Sequence, residues 1–193
     1  MSDLLRQYLG DFPELSREEI EAIVRHTHVR TFKKKSILLR EGAISSDCYF
    51  ILSGCVRQYK VVDGEEKTLA FFTEGQVILS YDSYMDSVVS DHYLSCEENC
   101  TLLIGTREGE KALRKEFPKL NFLTHILMPK DLANSQKQLS ILISSSPEER
   151  YKYLLEHQPE LLNRVPLYQL ASYIGVTPES FSRIRKRITQ QKQ

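Results

Sequence analysis

The chain has 193 residues, 41% of them hydrophobic and 27% charged, with 26 Lys and Arg balanced by 26 Asp and Glu. That composition excludes a disordered chain and allows one ample core or two modest domains. No apolar run is long enough to cross a bilayer and the opening MSDLLRQYLGDFPELS carries no secretory pattern, so a cytoplasmic protein with no membrane partner is expected. The zero net charge hides an asymmetry: from Pro147 onward eight Lys or Arg stand against five Glu, and from Arg183 onward five basic residues meet no acid. A basic tip on an acidic body is the electrostatic footprint that a phosphate backbone reads.

In chain order, SREEI (16–20) places a serine three residues before a glutamate at the head of an apolar-periodic stretch, which predicts a capped helix with Ile20, Ile23 and Val24 on one face. His26 and His28 stand at i and i+2, which a helix points apart, so they are not expected to share a metal. From Thr31 the period shortens, and β-rich runs are punctuated by Gly42, Gly54, Gly64 and Gly75, which predicts successive strands of a small barrel or sandwich. Asp63-Gly64 predicts a two-residue hairpin turn. After the polar, aromatic-spotted SYDSYMDSVVSDHY, the run YLSCEENCTLLIG resumes strand character, and TREGEKALRKEFPKL reads as loop and helix.

Enzymatic and metal chemistry find little support here. Cys48, Cys55, Cys96 and Cys100 are too few and too irregular for a disulfide framework, and the C-x3-C of Cys96 and Cys100 has no nearby histidine or second cysteine pair. His26, His28, His92, His125 and His157 form no cluster with a carboxylate. Free thiols, no metal and no catalysis are expected.

Residues 120–143 carry Leu120, Leu123, Leu127, Leu132, Leu139 and Ile143 as part of a helical stripe, with Pro129 marking a kink or a helix start. A long helix between two domains leaves such leucines facing water unless they pair with a second copy, so a homodimer through Leu120, Leu123, Leu127, Leu139 and Ile143 is expected. SSSPEER (144–150) reads as a boundary, which divides the chain into 1–119, 120–146 and 147–193. RYKYLLEHQPELLNRV then reads as one helix whose Tyr153, Leu154, Leu161 and Leu162 close a second, smaller core.

The last stretch carries the functional signal. Leu167, Leu170, Ala171 and Ile174 form an inward helical face, Gly175 permits a helix stop, and Val176 fills the corner. Thr177 is an N-cap, Pro178 sits at the first helical position, and Phe181, Ile184 and Ile188 form the inward face of a second helix. Its outer face shows Glu179, Ser180, Ser182, Arg183 and Lys186, with Arg187 on the flank. Arginine donates bidentately to guanine and glutamate accepts from cytosine, so Glu179, Ser180 and Arg183 are candidate base readers. Tyr168, Gln169, Thr177, Ser182, Arg185, Lys186 and Arg187 are candidate contacts to the DNA backbone, Arg185 having its own domain as an alternative partner. A hairpin that only packs on its own protein has a similar inward face; the outer basic residues favour duplex DNA.

REGAISSDCYFILSGCVRQYKVVDGEEKTLAFFTEGQVI (40–77), the central helix and LASYIGVTPESFSRIRKRI (170–188) together resemble the cyclic-AMP receptor protein and fumarate-nitrate regulator (Crp/Fnr) superfamily of bacterial transcription factors, over nearly the whole chain. The resemblance implies an α+β protein: an N-terminal cyclic-nucleotide-binding-type β-roll (a jelly roll, or double-stranded β-helix), a long central dimerisation helix and a C-terminal winged helix-turn-helix. It implies a homodimer that binds a palindromic operator and regulates transcription, with RNA polymerase as a further partner of such regulators. Glu179 and Arg183 fall on the family's main base-reading positions, whereas Pro178 stands where many members carry another polar reader.

The sensory half departs from the family. The phosphate-binding cassette of nucleotide-binding members holds a Gly-Glu pair and an arginine, but here GQVILSYDSYMDSVVSDHYLSCEE follows Glu74, with no arginine between Arg57 and Arg107. A buried cyclic phosphate without a cation is poorly compensated, so control by cyclic AMP is not expected. Nor does the N-terminus supply the cysteines of iron-sulfur members, and His92 alone suggests no haem. No cofactor is expected, and an unidentified small-molecule effector in the β-roll stays open. The alternative reading is a β-roll dimer that senses a small ligand or binds a protein and uses no operator.

Overall fold

The computed structural model describes residues 5–6, 9–10, 12–118, 133 and 135–190. Helix α1 (Arg17–His26) starts on the capping box that the sequence announces: the Ser16 hydroxyl accepts from Glu19 N, and the Glu19 carboxylate accepts from Ser16 N at 2.8 Å. Two amides that a helix start would leave orphaned are thereby satisfied.

Eight strands follow among the described residues: β1 (Thr27–Phe32), β2 (Ile37–Leu39), β3 (Asp47–Ser53), β4 (Val56–Val62), β5 (Glu65–Phe72), β6 (Val77–Ile78), β7 (Tyr93–Cys96) and β8 (Cys100–Thr106). They form two four-stranded sheets, β1-β8-β3-β6 and β2-β7-β4-β5, antiparallel throughout. The predicted hairpin joins β4 to β5. Val62 faces Glu65, so only Asp63 (φ 53°) and Gly64 (φ 78°) make the turn, both at the positive φ that a two-residue turn of this kind requires.

The alternation of side chains along each strand assigns the layers. Leu39, Ile51, Val56, Leu94, Leu102 and Ile104 fill the space between the sheets. The outer face of the first sheet (Val29, Leu52, Leu103) is covered by α1 and by α3 (Arg107–Glu116), with Ile23 and Leu113 in that layer. The outer face of the second sheet is covered by the C-terminal helices, for Cys55 and Phe71 share one core with Leu154, Leu170, Phe181 and Ile188.

Three local expectations change. Residues of the polar stretch after β6 form a short helix, α2 (Tyr81–Asp86), because Ser83 and Tyr84 turn inward; Ser83 Oγ accepts from Ser45 N at 2.6 Å and Tyr84 Oη donates to Glu110. One and a half turns are too short to show a period. The expected single helix after Ser146 is two, α5 (Pro147–His157) and α6 (Leu161–Arg164). Pro159 disfavours helical dihedrals at Gln158, which takes φ −142° and ψ 48° and ends α5. Finally, α8 (Pro178–Gln190), which follows α7 (Leu167–Tyr173), has no strand after it among the described residues, so the expected wing is not seen there.

Of the central stripe, residues 135–144 are helical and are named α4. Leu120, Leu123, Leu127 and Pro129 lie outside the described residues. On α4, Leu139, Leu142 and Ile143 are 57%, 43% and 77% exposed in the single chain.

Candidate nucleic-acid interface

The α7–α8 hairpin is built from the inside out. Phe181, Ile184 and Ile188 are buried, and the Phe181 ring meets Tyr151 edge-on at 5.3 Å. Gly175 takes φ 71° at the corner, where Val176 N donates to Ala171 O at 2.9 Å. Any side chain at Gly175 would meet the left-handed penalty there. Thr177 caps α8 by accepting from Ser180 N at 3.3 Å. With the inner face fixed, the helical period turns Glu179, Ser182, Arg183, Arg185, Lys186 and Arg187 outward, and all six are exposed.

The outer face is mostly uncommitted. Arg183 Nε makes only a long, 3.4 Å hydrogen bond to Glu179 O, so the two side chains do not form the ion pair that their i, i+4 spacing allows. Arg183, Arg185 and Lys186 have no carboxylate partner among the described residues, whereas Arg187 pairs with Glu148 of α5. The Ser182 hydroxyl donates back to Pro178 O at 3.0 Å, and Ser180 Oγ accepts from the Thr177 hydroxyl at 3.2 Å. The Glu179 carboxyl is held below its ordinary value by its own main-chain N–H and the Thr177 hydroxyl, aided by the charge of Arg183. It is therefore an anionic acceptor at neutral pH.

Helix α7 differs. Tyr168 is 56% exposed, but Gln169, expected on the DNA backbone, is 4% exposed. Its Nε2 donates to the buried carboxylate of Glu97 at 2.9 Å, which corrects its assignment to phosphate. Beside it, Ser172 Oγ accepts from Thr68 N at 2.9 Å and the Tyr173 ring meets Phe71 edge-on at 5.2 Å. Below α7, Arg164 bridges Glu74 and Glu98, with Nη1 to Glu74 at 2.8 Å and Nε to Glu98 at 3.0 Å. Burial pushes the Glu74 carboxyl up, but the hydrogen bonds from Arg164 and the Gly54 amide outweigh it and bring the carboxyl down to about 2. Carboxylates from the turns that follow β5 and β7 thus hold α6 and α7 on the second sheet. Sequence reasoning missed this role: Glu74, Glu97, Glu98 and Arg164 are far apart in the chain, and only the charge surplus of each half hinted at a match.

The two arginines that flank the arginine-free stretch make contacts within the protein. Arg57, 2% exposed, stands opposite Phe71 on the outer face of the second sheet, under the C-terminal helices. Its Nε donates to Thr68 Oγ1 at 2.9 Å, its Nη1 pairs with Glu66, and its guanidinium lies 4.6 Å from the Tyr59 ring centre. Arg107 lies 5.6 Å from the Tyr84 ring centre. No group of three or more His, Cys, Asp or Glu side chains fit for a metal occurs among the described residues, and no described helix is long and apolar enough to cross a membrane.

Comparison with known proteins agrees with this architecture. Residues 29–113 match the family model of the cyclic nucleotide-binding domain. CRP-like protein Clp of Xanthomonas oryzae is 22% identical over 185 residues, which cover 88% of this chain and 80% of that protein. Among solved structures, the c-di-GMP-responsive global regulator CLP of Xanthomonas campestris superposes with a TM-score of 0.72 at 20% identity, covering 92% of this chain and 93% of that one. FixK2 of Bradyrhizobium japonicum gives the same TM-score at 17% identity, with 86% of each chain covered. Residues 29–113 thus carry a cyclic nucleotide-binding-type domain, and the chain is similar to CRP-like regulators and shares their fold through the helix-turn-helix.

Proposed function

We propose that the protein is a sequence-specific DNA-binding transcriptional regulator that acts as a homodimer on a two-fold-symmetric operator and is not controlled by cyclic AMP. The observation that carries this reading is α8: a helix locked by Phe181, Ile184 and Ile188 that holds Arg183, Arg185 and Lys186 in solvent without carboxylate partners among the described residues. In this reading Glu179, Ser180 and Arg183 face base edges in the major groove, and Tyr168, Thr177, Ser182, Arg185, Lys186 and Arg187 meet the phosphates. Gln169 acts instead through α7 docking.

Dimerisation is supported by α4, whose exposed Leu139, Leu142 and Ile143 form an apolar face that a second copy would bury. A dimer would bring two α8 helices to successive major grooves, about 34 Å apart. Responsiveness to c-di-GMP belongs to the Xanthomonas relative. Here the burial of Arg57 under α7, where it is committed to Thr68 and Glu66, argues against its meeting a cyclic phosphate in the β-roll.

Selection of random duplexes by the purified full chain tests the reading. Enrichment of a two-fold-symmetric motif is the expected result. No enrichment, together with no binding of any duplex at low salt, would overturn it in favour of a β-roll dimer without an operator.

A further inference from the structure

A cavity of about 380 Å³ opens where the β4–β5 face, α4 and the C-terminal helices meet. This is within the size range of small-molecule sites. Leu69 and Phe72 form one wall, Leu139 and Leu142 of α4 the second, and Leu154 and Ile174 the third. From the segment between Gly75 and Ser95, only Gln76 reaches it among the described lining residues. The cavity is therefore a junction site whose walls come from the sheet, α4 and the helix-turn-helix unit together.

Its charge is one-sided. Arg150 is the only charged residue among the described lining residues, and no lining carboxylate balances it there. Its Nη1 donates to Leu142 O at 2.8 Å, which fixes the guanidinium at the cavity edge. Its Nε is shut off from solvent and has no hydrogen-bond partner among the described residues. The guanidinium thus brings an unbalanced positive charge to the cavity edge, which an anionic acceptor in the cavity would offset. Gln58, Gln76 and Gln138 add neutral amides that orient a ligand without repelling its charge.

We propose that this junction cavity binds a small organic acid with an apolar body, its carboxylate paired to Arg150 and its hydrocarbon among the leucine and phenylalanine walls. The site gives a chemical class to the effector of the regulator proposed above. Its occupancy would strengthen the docking of the C-terminal helices, because one ligand touches both sides of the junction.

The test uses the full chain without DNA, so its failure is distinct from failure of the DNA-binding reading. Titration calorimetry with 1-naphthaleneacetate and with decanoate is compared with their neutral amides, 1-naphthaleneacetamide and decanamide. The expected result is one acid bound per chain by at least one pair, with its amide weaker by about tenfold or more. Arg150→Gln abolishes that preference for the acid. Ala70→Leu, which fills the cavity from the β5 wall, weakens acid and amide alike, and circular dichroism with a melting curve confirms that each variant is folded. If Arg150→Gln does not fold, the Ala70→Leu result decides. Absence of saturable binding by both acids up to about 10 mM would overturn the proposal, as would equal binding of acid and amide or unchanged binding by the folded variants.

Discussion

The two helices of the C-terminal hairpin begin from the same kind of sequence and end in opposite environments. Both α7 and α8 have an apolar face toward the core formed by Leu154, Leu170 and Phe181. On α8 the polar face stays in water with Arg183 and Lys186 unpaired by acids among the described residues; on α7 Gln169 and Ser172 are consumed by the second sheet, through Glu97 and Thr68. A polar residue on an amphipathic helix is thus a reader only if no other part of the chain has already taken it. The hairpin therefore has two unlike helices, with α7 held by the β-roll and the polar face of α8 left in water.

The largest way to break this contrast is to remove the wedge between the two helices. Phe181 is fully buried, so Phe181→Ala should cost about 3–5 kcal/mol of stability and abolish duplex binding at once, read from denaturant unfolding and a binding titration on the same sample. Separable effects at the two helices would show that they do not share one core.

Gln169→Ala sharpens the comparison on the α7 side. It removes a buried hydrogen bond to the Glu97 carboxylate and should lower stability by about 1.5–3 kcal/mol, with the salt slope of duplex binding unchanged. A reduced slope with unchanged stability would return Gln169 to the phosphates. On the α8 side, Lys186→Ala should leave stability alone, weaken all duplexes to a similar extent and lower the salt slope by about one.

The docking interface also has an acid limit. Glu74 is about 2 in the folded protein against an ordinary 4.5, so the stability it contributes is complete above about 4.5 and is lost as pH falls toward 2. Melting curves of the wild type and Glu74→Gln should therefore differ at pH 6 and converge across that window. A gap that persists at pH 2 would mean that Arg164 does not act through the Glu74 charge.

What was legible in the sequence was local. The capping box at Ser16, the Asp63-Gly64 turn and the Gly175 corner each depend on two to four neighbouring residues, and each forms as read, whereas the capping box at Ser146 is added by the structure. The inward face of α8 was equally open to a period count; on α7 the count fits Leu170, Ala171 and Ile174 but not Leu167, which is 40% exposed. What escaped depends on partners distant in the chain. Nothing near Gln169 shows that Glu97 will reach it, nothing near Arg164 shows Glu74 and Glu98, and Arg57 reads as a strand arginine until the helical unit covers it. The break at Pro159 was visible, but the apolar residues on both sides made one helix look continuous.

Arg183 carries the central claim, because it is exposed, unpaired by any acid among the described residues, and has no part in the core. The most direct measurement is an equilibrium titration of the enriched duplex and a scrambled duplex, at one fixed salt concentration, with the wild type and with Arg183→Ala. The account predicts that the wild type prefers the enriched duplex and that Arg183→Ala loses about 1–3 kcal/mol on it, with little change on the scrambled one. Equal binding of both duplexes by the wild type, or a preference that survives Arg183→Ala intact, would contradict it.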